Sequence, residues 1–147
     1  MTNVVLTDHH LHAVCAENTI TSGGLAMVRD YLMATQSTDA PLGPTYIALG
    51  FGAIPDGGRF WTVLSGESLR FPIVQRQATT AGAVFTAFIP SGNGLGLVVN
   101  VTGLWAGNAT AALGTGILVA QTALPGTVQL LSPYSIAWTL SVQGTSA

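Results

Sequence analysis

The chain contains no lysine, one cysteine and, beyond Arg76, no charged side chain at all. Its cations are Arg29, Arg59, Arg70 and Arg76, set against six acids for a formal net charge of -2. Only 7% of its 147 residues are charged, where about 25% is usual. Each shortage excludes something. Four arginines scattered along the chain cannot neutralise a row of phosphates, so nucleic acid is not an expected partner. Without lysine the glycine-rich pieces LGFG, GNGLG and GTG cannot act as phosphate loops, and they read as turns. The lone Cys15 rules out an internal disulfide and any multi-cysteine metal cage. The opening MTNVVLTDHHLHAV lacks the basic stretch and long apolar run of a secretory leader, and no export is expected.

Within the uncharged run from Gln77 to Ala147 lies VVNVTGLWAGNATAALGTGILVA, residues 98–120. It has the roughly 20 residues that a membrane helix needs. Asn100, Thr102, Gly103, Gly107, Asn108, Thr110, Gly114, Thr115 and Gly116 interrupt it, and no Lys or Arg anchors flank it. No membrane partner is expected.

Short β-rich runs between turn residues describe the chain better. The candidate strands are residues 45–51, 60–64, 71–75, 84–89, 97–105, 117–123, 127–131 and 135–142, bounded by PDGG, PSGNG, AGN, PG and SP. About eight such strands indicate an all-β sandwich, jelly roll or barrel. In SIAWTLSV, alternation places Ile136, Trp138, Leu140 and Val142 on one face of a half-buried strand.

One segment has helical spacing. Leu25, Val28 and Leu32 recur along ITSGGLAMVRDYLMAT, with Met27 and Tyr31 on adjoining positions. Thr21 or Ser22 can cap the first amides, and Ile20 can act as a staple. A helix over residues 23–34 is predicted, followed by a loop at STDAPLGP. Residues 1–16 precede it as an extended arm or edge strand, and residues 17–147 form a single domain without repeats.

Catalytic and metal chemistry find little support. His9, His10 and His12, with Asp8, have the residue types of a zinc or copper site, but no second cluster follows; a polar arm is the expected role. There is no G-x-S-x-G elbow for a hydrolase. Cys15 beside His12 carries no signature of a cysteine enzyme and reads as an inert thiol. Asp39, Asp56 and Glu67 lie in expected loops and make no carboxylate pair. Arg59, Arg70 and Arg76 border the aromatic strands RFWTV and RFPIVQR. They suit a docking surface or cross-strand packing of Arg stems over Trp61 or Phe71, and the two are compatible.

The ordered motifs ENTITSGGLAMVRDYL, PTYIALGFG, FTAFIPSGN, NVTGLWAG, GTGILVAQTALP and SIAWTL resemble a family of small tailed-phage virion proteins. Some of these are jelly-roll capsid decoration (cement) proteins that bind the assembled head as trimers, and others carry tail-fibre labels. The likeness runs from Glu17 through most of the chain. It implies a mainly β fold: a jelly-roll-like β-sandwich of about eight strands with one short N-terminal helix and an extended N-terminal arm. It further implies a non-enzymatic structural protein on the outer capsid surface, with no cofactor, whose partners are the major capsid protein lattice and its own copies in a homotrimer. The expected partner contacts are Val4, Val5, Leu6, His9, His10, Leu11, His12 and Val14 in the arm, with Arg59, Trp61, Arg70 and Trp105. The alternatives are a tail-tip or fibre component using Trp61, Trp105 and Tyr134 on a host surface, and a small enzyme using the three histidines.

Overall fold

A computed structural model describes residues 3–8, 13–17, 19–33, 43–54, 61–80, 82–90, 96–131 and 133–141, with the backbone alone up to residue 19. Among these residues are nine strands and one helix. They run β1 (Asn3–Asp8), β2 (Ala13–Glu17), β3 (Thr19–Ile20), α1 (Ser22–Met33), β4 (Tyr46–Gly50), β5 (Glu67–Ala78), β6 (Gly82–Ile89), β7 (Val98–Ala106), β8 (Ile117–Gln129) and β9 (Tyr134–Ser141).

The protein is mainly β, and its strands form one antiparallel sheet in the order β2-β1-β9-β6-β5-β4-β7-β8-β3. Two strand segments make this sheet curl. The first half of β5 pairs with β4 as far as Tyr46 opposite Pro72, and from Ile73 onward β5 pairs with β6. Pro72 stands at the hand-over, where a residue without an amide hydrogen interrupts the ladder least. The other segment is β2 and β3, separated in sequence by residue 18 alone: β2 pairs with β1 and β3 with β8. The two ends of the strand order are therefore adjacent along the chain, and β2 also lies against β8.

The pairing is nested. First strand meets last in β1 with β9, and inside that pair lie β3 with β8, β4 with β7 and β5 with β6. Residues 1–16 read from the sequence as an extended arm or an edge strand; the described part of them forms strands at the end of the sheet order, where Val4, Val5 and Leu6 pair with Trp138, Ala137 and Ile136 of β9. β-branched residues alternating with polar ones fit a pleated surface, and the chain meets such a surface in β9.

Two further expectations change. Residues 61–64 are irregular rather than a strand. The runs 117–123 and 127–131 belong largely to one strand, because the Pro125-Gly126 signal forms a bulge and not a turn. Val99 pairs with Val128 and Val101 with Ala123, so Asn100 alone stands opposite residues 124–127. Leu124 stays in the core, while Pro125, Gly126 and Thr127 are exposed, and the missing amide of proline costs nothing there.

The main core fills the inside of the curl with Ile47, Leu49, Phe71, Ile73, Phe85, Ile89, Leu104, Val119, Leu124, Leu130, Ile136 and Trp138. Ile136 and Trp138 are fully buried, as the alternation in β9 predicts, and Leu140 packs at their edge. A second cluster of Ala48, Leu64, Val101, Trp105 and Leu118 lies on the opposite face of β4, β7 and β8. Those strands are covered on both sides, which explains why they read as continuous apolar runs.

The helix spans Ser22–Met33, close to its predicted limits, and Thr21 caps it. The Thr21 hydroxyl accepts the Gly24 amide at 3.1 Å and donates to the Leu118 carbonyl on β8. One side chain therefore both caps α1 and fixes it to the sheet. The face that packs is not the predicted one. Gly24 and Met27 are buried, whereas Leu25 and Val28 are exposed.

Candidate functional site

The most elaborate polar arrangement among the described residues surrounds Arg70 on the second, smaller cluster. It begins with a turn. Gly66 takes φ +57°, a left-handed conformation that suits glycine, and a Cβ there would stand 1.8 Å from the Phe51 carbonyl oxygen. The chain then enters β5 through a bulge: Leu69 pairs with Leu49, but Glu67 pairs with the next residue, Gly50, leaving Ser68 extra. In a regular strand residues three apart point to opposite faces. The extra residue restores Glu67 to the face of Arg70, where the two form an ion pair.

The Arg70 guanidinium is almost used up by these contacts. Nε and Nη2 donate to the Glu67 carboxylate, and Nη1 donates to the Thr115 carbonyl at 2.7 Å and to the Thr110 carbonyl at 3.2 Å. The cation also lies 4.0 Å from the centroid of the Trp105 ring, which attracts it through the ring quadrupole. The Arg70 side chain has no exposed surface and that of Glu67 only 8%. So dry a pair persists because nearly every donor is occupied.

What Arg70 holds is the connection between β7 and β8, residues 107–116. Thr115 folds this loop on itself, its hydroxyl accepting from the Thr110 amide at 2.9 Å and donating to the Ala112 carbonyl at 2.8 Å. Positive φ at Gly107, Gly114 and Gly116 allows the tight path. The loop so fixed presents Asn108, Ala111, Ala112 and Leu113 to solvent. Next to it lies an open pocket of about 130 Å³ lined by Gly23, Trp61, Thr62, Gly116, Ile117 and Leu118. Gly103 lets this cover close down, since a Cβ there would meet the Leu118 side chain at 2.9 Å and Leu64 at 3.3 Å.

Of the residues singled out from sequence, Arg70 and Trp105 come together, and Trp61 lies nearby, half-buried at the pocket. Arg70 and Trp105 are inside the protein, at 8% and 1% exposure. Their expected role as surface contacts is corrected to one of positioning: Arg70 packs on an aromatic as expected, but on Trp105. Tyr134 is half-buried, with its hydroxyl 3.3 Å from the Gln129 carbonyl. Val4, Val5 and Leu6 lie in β1 and Val14 in β2. His9, His10, Leu11, His12 and Arg59 lie outside the described residues. Glu67, expected as a solvated loop acid, is the buried partner of Arg70. Neither Thr110 nor Thr115 stood out in the sequence as anything but an interruption. The spacing E-x-x-R was visible, but its meaning depends on a bulge that local pattern does not mark.

The Glu67–Arg70 pair fixes the geometry of the 107–116 loop. Among the described residues no group of His, Cys, Asp and Glu is arranged to hold a metal ion, and no helix is long and apolar enough to cross a membrane. Comparison with protein-family models, with curated proteins and with solved structures finds no match.

Proposed function

We propose that this chain is a structural virion protein of the capsid decoration type, which binds the outer surface of an assembled phage head as a homotrimer and stabilises it without catalysis. The observation that carries this reading is its neutral, apolar surface. Beyond Arg76 no side chain is charged, and Phe88, Leu97, Val98, Leu113, Ile117 and Leu131 are all exposed. Exposed apolar area without charge marks an association surface. The motif order of the sequence supports the same family, and the nested strand pairs, first with last and inward, support a jelly-roll-like relation between strands. In this protein β6 also pairs with β9, so the strands form one curled sheet.

The mechanism is mass action. A protein that binds only the assembled shell stabilises it by an amount set by its free concentration relative to its dissociation constant. The Arg70 clamp serves by keeping the 107–116 loop in one shape before binding, which lowers the ordering cost on contact. The partner is the major capsid protein lattice. Co-sedimentation of the purified chain with empty expanded heads tests the reading: saturable binding supports it, and no binding at micromolar protein overturns it.

The pocket beside Trp61 favours a second reading, a tail-tip or fibre component that recognises a host surface, since an aromatic wall in an open pocket suits a sugar face or an apolar side chain. Imaging of labelled protein on virions separates head from tail. An unchanged phenotype after changing His9, His10 and His12 to Ala removes the enzymatic alternative.

A further inference from the structure

Helix α1 leaves three apolar side chains, Leu25, Val28 and Met33, uncovered by its own sheet. Toward β8 it presents Gly23, Gly24 and Met27, and Gly24 comes so near that a Cβ would lie 2.2 Å from the Val119 carbonyl oxygen. Away from the sheet, Leu25 is 45%, Val28 52% and Met33 74% exposed. In sequence Leu25, Val28 and Leu32 fall three and four residues apart, the spacing at which one helix packs along another. An amphipathic helix ordinarily buries such a stripe. Here close backbone approach through two glycines does the docking, and Leu25 and Val28 stay uncovered.

Two charges flank it. Arg29 and Asp30 are bonded to each other at 2.6 Å while remaining 70% and 53% exposed. Adjacent helical residues do not face each other, so this pair forms by the arginine folding back. Exposed pairs of this kind contribute little, and exchanging them costs little. With one cation and one anion the face has no net charge to attract an acidic or a basic partner. A second copy of the same chain, however, brings a matching acid and a matching base.

We propose that α1 is the self-association surface of this protein: the stripes of neighbouring copies pack around the symmetry axis, and Arg29 of each copy exchanges its own Asp30 for that of its neighbour. The number of copies rests on the trimer reading above; the contact itself does not.

Light scattering of the full chain over a concentration series tests it, with far-UV circular dichroism and thermal midpoint as controls for folding. The wild type is expected as a trimer. Leu25→Ser/Val28→Ser is expected to raise the dissociation constant about tenfold or more with the fold intact. Arg29→Asp, which sets two acids side by side, is expected to weaken association, and Arg29→Asp/Asp30→Arg to restore it because the complement is regenerated. An unchanged trimer in Leu25→Ser/Val28→Ser overturns the inference and leaves the trimer standing. A restored charge pair without restored association overturns the exchange. A wild type that stays monomeric overturns both this contact and the trimer, while head co-sedimentation judges the decoration reading separately.

Discussion

Glu67→Ala is the sharpest test of the clamp. It leaves the Arg70 guanidinium in place with its Nη1 bonds to Thr110 and Thr115 but takes the carboxylate from Nε and Nη2. Because the Arg70 side chain has no exposed surface, water cannot substitute without the cover opening. Breaking a buried pair by removing one partner costs about 3–5 kcal/mol. For a domain of this size each kcal/mol moves the thermal midpoint by about 2–4 °C, so scanning calorimetry should show a fall of about 6–20 °C. Amide exchange should accelerate in residues 107–116 before it does in β9, since the clamp bonds the loop carbonyls of Thr110 and Thr115. The double variant Glu67→Leu/Arg70→Met removes both charges and is expected to recover most of the loss, because an apolar replacement of a buried pair is often neutral or better. A Glu67→Ala protein within about 1 kcal/mol of wild type would refute the reasoning, for the pair would then be solvated.

Three other outcomes follow from the geometry. Gly66→Ala forces a side chain into a left-handed turn and against the Phe51 carbonyl, and denaturant unfolding should show a loss of about 1–3 kcal/mol or more. Thr21→Val keeps the shape but removes the cap of α1 and its bond to β8; a loss of about 1–2 kcal/mol in urea melts is expected, with reduced helicity by circular dichroism. Deleting residues 1–16 strips β1 and most of β2 from the sheet and bares the edge of β9. The truncated chain is expected to lose cooperative unfolding or to aggregate, and a folded, monodisperse product by calorimetry and gel filtration would contradict the pairing.

The parts of the fold that the sequence made legible are those where one residue has one neighbourhood. In β9, alternating Ile136 and Trp138 announced the core face and found it. The cap at Thr21 was readable because the orphan amides of a helix start need an oxygen wherever the helix sits. Misreadings arose where a local signal had two physical outcomes. Pro125-Gly126 can end a strand or bulge out of one, and the choice was made by β7, which continues past it on the other side. The stripe of α1 can face the core or turn away from it, and Gly24, whose lack of a side chain admits Val119, leaves Leu25 and Val28 outside. The arm was set apart because nothing in residues 1–16 says that their partner is the last strand of the chain.

The candidate site shows the same division at finer scale. Arginine beside aromatics signalled packing or docking, and the structure resolves it through Ser68, a residue with no apparent role of its own. Insert Ser68 as a bulge and Glu67 meets Arg70; remove it and the acid would turn to the other face, leaving a buried cation alone, which would itself move to solvent. With the arginine outside, the 107–116 loop would lose its Thr110 and Thr115 bonds to β5, and Trp105 would need another cover. A neutral surface loop can be specific only if its shape is fixed, since it has no charge with which to select a partner. Two of the few charges this chain carries, Glu67 and Arg70, thus shape an uncharged surface from beneath, which reconciles a buried ion pair with the absence of charge across the second half of the chain.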